Sequence, residues 1–366
     1  MQRAQFSQPL TNSILLNGWQ IPANVPARAQ NTDRDSACRP LGPAGSLPLL
    51  IMLSLAFCAS FVLLASSALA TSPIKPNRTV LFHSHNDYKQ PRPVYDAFDH
   101  GFRSFESDLW WDKGAGKFYV AHTIITIDHS KTFQTQTLDR VMKILEGDYS
   151  SDYKKDAPNK FLNDPDNQPT SEPDWYKYYA EGFGGVRPIQ LLLEIKSNDG
   201  ETSWPHLMDQ LQPLRERGWL TKWEGGKIHY GPVIVVGTGG TPADEMAPKT
   251  SRDYFFDCPA GSLNGTIQTS SGSSFHFNST LCPMSSASYI NVPDSNLGLL
   301  PPPRKAPAQF HREIVETHHH NSTTRFYGVV PFAPARIDDF NMLIQQGSDW
   351  INSDVMSDQA AYNGRS

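Results

Sequence analysis

Three blocks of this 366-residue chain decide its reading: Val80-Leu81-Phe82-His83-Ser84-His85-Asn86-Asp87-Tyr88, Gly101-Phe102-Arg103-Ser104-Phe105-Glu106-Ser107-Asp108-Leu109-Trp110, and Lys117-Phe118-Tyr119-Val120-Ala121-His122-Thr123. Each is an apolar or aromatic run that finishes in polar side chains able to do chemistry. Strands of a parallel barrel end this way, because their C-terminal ends open into the mouth that carries the reacting groups. All three blocks are therefore expected to be strands of one sheet.

Glu106 and Asp108 lie two apart in the second block, so on a strand both carboxylates face the same side. Phe105, Leu109, Trp110 and Trp111 around them argue for burial, and two buried like charges need a cation nearby. A hard, all-oxygen set suits Mg²⁺ or Ca²⁺ rather than zinc. The bland alternative is a solvated surface pair bonded to lysines. His85 and His122 add groups that can exchange protons near neutral pH. With twelve histidines in the chain, His83 and His100 are assigned structural roles.

Taken together, His85-Asn86 after a strand, Glu106-Ser107-Asp108-Leu109-Trp110, and Ala121-His122-Thr123 resemble the catalytic X region of eukaryotic phospholipases C. They also resemble the wider superfamily that includes the glycerophosphodiester phosphodiesterases. The wording His83-Ser84-His85-Asn86-Asp87-Tyr88 with its close carboxylate block is similar to the fungal "altered inheritance of mitochondria" family, member six, over roughly Val80 to Met356. The resemblance implies a single (β/α)8 TIM barrel of the PLC-like phosphodiesterase type. It implies a hydrolase that cleaves a phospholipid or glycerophosphodiester with His85 and His122 as acid and base. One divalent ion, Mg²⁺ or Ca²⁺, is then expected on Glu106, Asp108, Glu194 and Asn86. Lys196 becomes a contact for the substrate phosphate, with an ordinary Glu194–Lys196 salt bridge as the alternative. A barrel that binds phospholipid headgroups or a partner protein without catalysis is the competing reading.

The remaining chain fits that frame. A net charge of −5 gives no case for a nucleic-acid partner. Residues 1–46 carry no apolar periodicity and are expected to be disordered. Leu47 to Ala70 is an apolar run ending Ser66-Ser67-Ala68-Leu69-Ala70, the form of a cleaved signal peptide, with an uncleaved signal anchor as the alternative. Either places the catalytic part, residues 71–366, in the secretory lumen or outside the cell. Past the leader only Cys258 and Cys282 remain, and an oxidising compartment would bridge them. Asn-x-Ser/Thr sites at Asn77, Asn264, Asn278 and Asn321 agree with secretion but are close to chance frequency. A monomer is expected, with a membrane surface as a candidate partner.

Beyond the three blocks, Ile189 to Ile195 is continuously apolar, as a strand buried on both faces requires. Further strands are expected at Val233–Val236, Asp253–Asp257, Arg325–Val330 and Asp349–Ser353, with helices at Trp204–Arg217 and near Gln309–Thr317. Ser150 to Gly185 is expected to be an excursion from the barrel top, its Trp175, Tyr176, Tyr178 and Tyr179 packed rather than lipid-facing. His318-His319-His320 points in three directions on a helix end and is set aside as a metal site. Gly237-Thr238-Gly239-Gly240 is a weak candidate for a phosphate-cradling turn.

Overall fold

The computed structural model describes residues 72–149, 152–165, 170–197, 199–292 and 306–363. They belong to a compact unit spanning Ser72–Ser366. The expected disordered stretch 1–46 and the leader 47–70 lie outside the described residues.

Eight parallel strands close into a barrel: β1 Leu81–Ser84, β2 Ser104–Asp112, β3 Ile189–Ile195, β4 Val233–Gly239, β5 Phe255–Pro259, β6 Met284–Ser288, β7 Thr323–Tyr327 and β8 Trp350–Ser353. Closure is made by β1, which pairs with β8 through Leu81↔Trp350 and with β2 through His83↔Ser104. Helices follow the strands on the outside, among them Gly200–Gln210, Ala306–His319 and Ala335–Gln346. The chain is thus a (β/α)8 TIM barrel. The expected helix Trp204–Arg217 is broken at Leu211 into Gly200–Gln210 and Gln212–Glu216.

One expected barrel strand is not in the barrel. Lys117–Val120 runs antiparallel to β2, with Leu109↔Val120 and Asp112↔Lys117 as register pairs. The reversal is encoded locally: the Asp112 carboxylate accepts the backbone N–H groups of Gly114 and Ala115, and Gly116 supplies a left-handed φ of 62°. The missing eighth strand is Met284–Ser288, which pairs with β5 and β7 on either side.

Side chains of β3 alternate between two cores. Leu191 and Leu193 face outward into the layer between strands and helices, while Leu192 faces the barrel interior. The interior cluster also takes Leu81, Ile234, Val236, Phe255, Met284 and Trp350, mostly from the N-terminal ends of the strands. It is capped from below by the helix Trp175–Ala180, whose Trp175, Tyr178 and Tyr179 are buried. Trp175 donates to the Ser279 carbonyl, and Tyr176 donates to the Thr79 carbonyl just ahead of β1. The aromatic segment therefore packs, as expected, but at the N-terminal end. The expectation of an excursion at the barrel top is overturned, because this segment leads into the N-terminal end of β3. Burying three large aromatic residues against that end stabilises the barrel by several kcal/mol, at about 25 cal/mol per Å².

Cys258 and Cys282 form a disulfide linking β5 to the start of β6, with a Cα–Cα distance of 5.6 Å. Among the described residues no helix is long and apolar enough to cross a membrane. Asn77, Asn264 and Asn278 are exposed, whereas Asn321 is partly buried and its amide nitrogen donates to the Pro173 carbonyl.

Candidate active site

Above the apolar plug the barrel interior turns polar. Adjacent strands deliver Glu106 and Asp108 from β2 and Glu194 from β3, with Asp108 and Glu194 directly paired in register. Each of the three carboxylates offers one oxygen, and these oxygens lie within 4.8 Å of one another. Glu106 and Asp108 are almost fully buried. Gly239 permits this approach: a Cβ there would sit 2.6 Å from Glu194 Cγ and from the Ile195 carbonyl oxygen. Close packing against Glu194 therefore accounts for that glycine without a phosphate.

The loop after β1 brackets the carboxylates. Asn86 adopts a left-handed φ of 50°, which turns its backbone N–H onto Glu106 Oε2 at 2.8 Å. The Tyr88 hydroxyl lies 2.8 Å from Asp108 Oδ2 and 2.6 Å from Asn86 Oδ1. Asn86 thus stands beside the cluster with its side-chain oxygen facing Tyr88. The other oxygen of Asp108, Oδ1, is buried without a hydrogen-bond partner. Burial, followed by Glu106 and Glu194, pushes the Asp108 carboxyl well above the ordinary carboxylate range. Burial and then Glu106 also raise Glu194.

Both predicted histidines reach this cluster. His85 Nε2 lies 3.7 Å from Glu106 Oε2 and its Nδ1 lies 2.9 Å from Asp354 Oδ1. Burial opposes charge on His85, but Glu106 and Asp354 outweigh it and raise the imidazole above its usual value. His122 arrives on the hairpin, its Nδ1 3.4 Å from Asp108 Oδ2 and its side chain 53% exposed. Partial burial, Lys89 and Lys196 lower its pKa. Lys196 lies 3.1 Å from Glu194 Oε1 and 3.5 Å from Asp108 Oδ2, so it does form the Glu–Lys pair while also reaching the cluster.

His83, assigned a structural role, is fully buried with Nδ1 2.7 Å from Ser104 Oγ and Nε2 3.1 Å from Arg325 Nη1. Burial and Arg325 hold it neutral. His100 bonds the Asp96 carbonyl on the helix Tyr95–Asp99, and of the histidine triplet His318 pairs with Asp349 at 2.7 Å. Neither reaches the mouth.

Sequence reasoning missed Arg325 and Asp354. Arg325 on β7 is 4% exposed, with Nη2 3.8 Å from Glu106 Oε1. Its position in a strand among Thr and Phe carried no charge partner nearby in sequence. Lys196 and Arg325 thus offset part of the negative charge that the carboxylates bring. Three carboxylates still exceed two cations, and the unpartnered Asp108 oxygen gives the excess a direction. The cluster could hold a metal ion, and its all-oxygen donor set fits a hard one.

A closed parallel barrel whose C-terminal mouth joins two histidines to a carboxylate cluster has the architecture of the barrel phosphodiesterases. The sequence profile of the AIM6-like phosphodiesterase domain matches residues 72–172 and 176–257. The chain belongs to the AIM6-like phosphodiesterase family. Its relatives include the altered inheritance of mitochondria protein 6 homolog of Arthroderma benhamiae, 30% identical over 217 residues that cover 57% of this chain and 59% of the relative. Altered inheritance of mitochondria protein 6 of Eremothecium gossypii is 26% identical over 187 residues, covering 50% and 43%. That of Kluyveromyces lactis is 29% identical over 171 residues, covering 44% and 38%. The chain spans about half the length of the curated relatives it matches. No solved structure matches.

Proposed function

We propose that the chain hydrolyses a phospholipid or glycerophosphodiester with His85 and His122 as the proton-transfer pair. The observation that carries the assignment of roles is the 2.9 Å contact of His85 Nδ1 with Asp354. A carboxylate there accepts the Nδ1 proton and leaves Nε2 free to take a proton from the attacking hydroxyl. His122, the more exposed of the two and with its Nδ1 3.4 Å from Asp108 Oδ2, gives a proton to the leaving oxygen as the old P–O bond breaks. If the attacking hydroxyl is a neighbour on the substrate, the product is a cyclic phosphodiester; if it is water, a monoester.

Lys196 is placed to face the phosphoryl oxygens. Tyr88 and the Asn86 backbone fix Asp108 and Glu106 in position. Glu106, Asp108 and Glu194, with Asn86 beside them, would hold one divalent ion, Mg²⁺ or Ca²⁺. Such an ion supplies Lewis-acid polarisation of the phosphoryl oxygens. The disulfide supports a secreted or lumenal protein. Incubating a panel of phosphodiesters with the purified protein, with and without EDTA, tests the reading. Turnover of none of them in the presence of Mg²⁺ or Ca²⁺ would remove it.

A further inference from the structure

The proposed chemistry leaves open whether the substrate is met in solution or at an interface. Four of the five strongly exposed large apolar side chains among the described residues lie at the end of the barrel that carries the site. Ile124 and Ile125, 65% and 90% exposed, sit in the short turn directly after His122-Thr123. Ile290, 43% exposed, lies in the turn that follows β6. Phe332, 56% exposed, is in the loop after β7. The fifth, Val315, is on the helix Ala306–His319 of the outer wall. Exposed apolar residues scattered singly are ordinary; gathered from three loops onto one rim they mark a contact surface.

Charge at the same rim indicates what the surface meets. Lys89 and Lys131 are exposed there, and Lys89 is close enough to act electrostatically on both His122 and Asp354. Exposed carboxylates on the same loops each bond a neighbour, Asp128 with Ser130 and Asp354 with His85. The rim offers protruding isoleucines and a phenylalanine beside the exposed lysines Lys89 and Lys131. That combination suits the acyl boundary and phosphate layer of a lipid bilayer. A rigid protein partner would need a continuous complementary patch, and here the mouth separates the apolar tips. A fluid layer accommodates separated side chains and still leaves a lipid headgroup access to the mouth.

We propose that the C-terminal rim docks on a phospholipid bilayer through Ile124, Ile125, Phe332 and Ile290, with Lys89 and Lys131 contacting lipid phosphates, so that the substrate is drawn from the membrane. This rests on the phosphodiesterase reading above. The test compares the wild-type chain, the triple variant Ile124→Ser/Ile125→Ser/Phe332→Ser and the control Val315→Ser. Each is measured for co-sedimentation with phosphatidylcholine vesicles, with and without phosphatidylserine. Hydrolysis is measured on vesicle lipid and on a short-chain, water-soluble phosphodiester. Loss of three partly inserted side chains should weaken vesicle binding by about tenfold or more. Hydrolysis of vesicle lipid should fall with it, hydrolysis of the soluble ester should not change, and Val315→Ser should behave as wild type. A triple variant that binds and hydrolyses vesicles like the wild type would overturn the docking surface while leaving the phosphodiesterase reading intact. If no chain hydrolyses either ester, the phosphodiesterase reading fails, and sedimentation alone still decides the docking surface. Loss of a self-associated species in the triple variant, with vesicle binding unchanged, would assign the rim to a second copy of the chain and overturn the proposal.

Discussion

His85 Nδ1 lies 2.9 Å from Asp354 Oδ1, joining the loop after the first barrel strand to the residue just past the last. The contact spans 269 residues of sequence and exists only because β1 closes the barrel against β8. It fixes the imidazole and increases its basicity. Asp354→Asn should therefore lower turnover by roughly tenfold, less than loss of His85 itself, and move the acidic limb of the pH–rate profile. The sign follows from the roles: a base works deprotonated, Asp354 raises the His85 pKa, and its neutralisation shifts that limb to lower pH. An unmoved limb, measured with the wild type in parallel, would contradict the assignment of His85 as base.

On the proposed roles, His85→Ala and His122→Ala should each reduce turnover by about 10²-fold or more with little change in melting temperature. His83→Ala should do the reverse. It removes the buried contacts of the imidazole with Ser104 and Arg325, at a cost of roughly 1–3 kcal/mol, while activity per folded molecule falls far less. Thermal unfolding paired with specific activity separates the two patterns. Near-normal activity of His85→Ala or His122→Ala would show that the wrong histidines have been chosen.

Much of this site was legible because its parts sit at strand ends within one short stretch. Glu106 and Asp108 follow from period-two alternation, and His85 and His122 from the polar residues that close two apolar runs. Lys117–Val120 misled because an apolar run has the same wording in a hairpin as in a barrel strand. Only the Asp112 to Gly116 turn distinguishes them. Met284–Ser288 escaped for the opposite reason: Met284 enters the interior plug, but the serines and alanine that follow give no apolar run. Arg325 and Asp354 join the site through closure of the barrel, a relationship no local pattern carries. The aromatic helix Trp175–Ala180 was correctly read as packed, but which end it plugs is set by long-range contacts such as Trp175 with Ser279.

Asp349, at the N-terminal end of β8, makes stability depend on acid. Arg78, His318 and the Thr324 backbone N–H all contact it. Burial opposes its charge, yet these partners outweigh burial and hold its pKa below the ordinary carboxylate value. A folded-state pKa below the unfolded one contributes stability that is complete above the unfolded value and is lost as pH falls through the folded value. Asp349→Asn should lose roughly 2 kcal/mol at neutral pH, discounted because Arg78 and His318 are partly solvated, and should be less sensitive to acid below about pH 4. Chemical denaturation from pH 7 down to pH 3 measures it. Parallel acid sensitivity in both chains would contradict the role of Asp349.

The Cys258–Cys282 bridge closes a loop with a sequence separation of 24. By loop closure it should contribute about 3 kcal/mol, so reduction should lower the melting temperature by several degrees. Mass spectrometry of native protein treated with an alkylating agent should find both cysteines unmodified before reduction. Complete alkylation without a reductant would exclude the bridge.

A divalent ion on the carboxylate cluster is central to the proposed function. Glu106, Asp108 and Glu194 bring three carboxylates within 4.8 Å, and Lys196 and Arg325 balance only part of their charge. The direct measurement is titration of the chelated protein with Mg²⁺ and Ca²⁺, followed by calorimetry and by hydrolysis of a phosphodiester, in the wild type and in Glu106→Gln/Asp108→Asn. The account predicts one divalent site in the wild type, hydrolysis abolished by EDTA and restored by the added ion, and loss of ion binding in a double variant that remains folded. Full hydrolysis in excess EDTA, or full activity of the double variant, would contradict it.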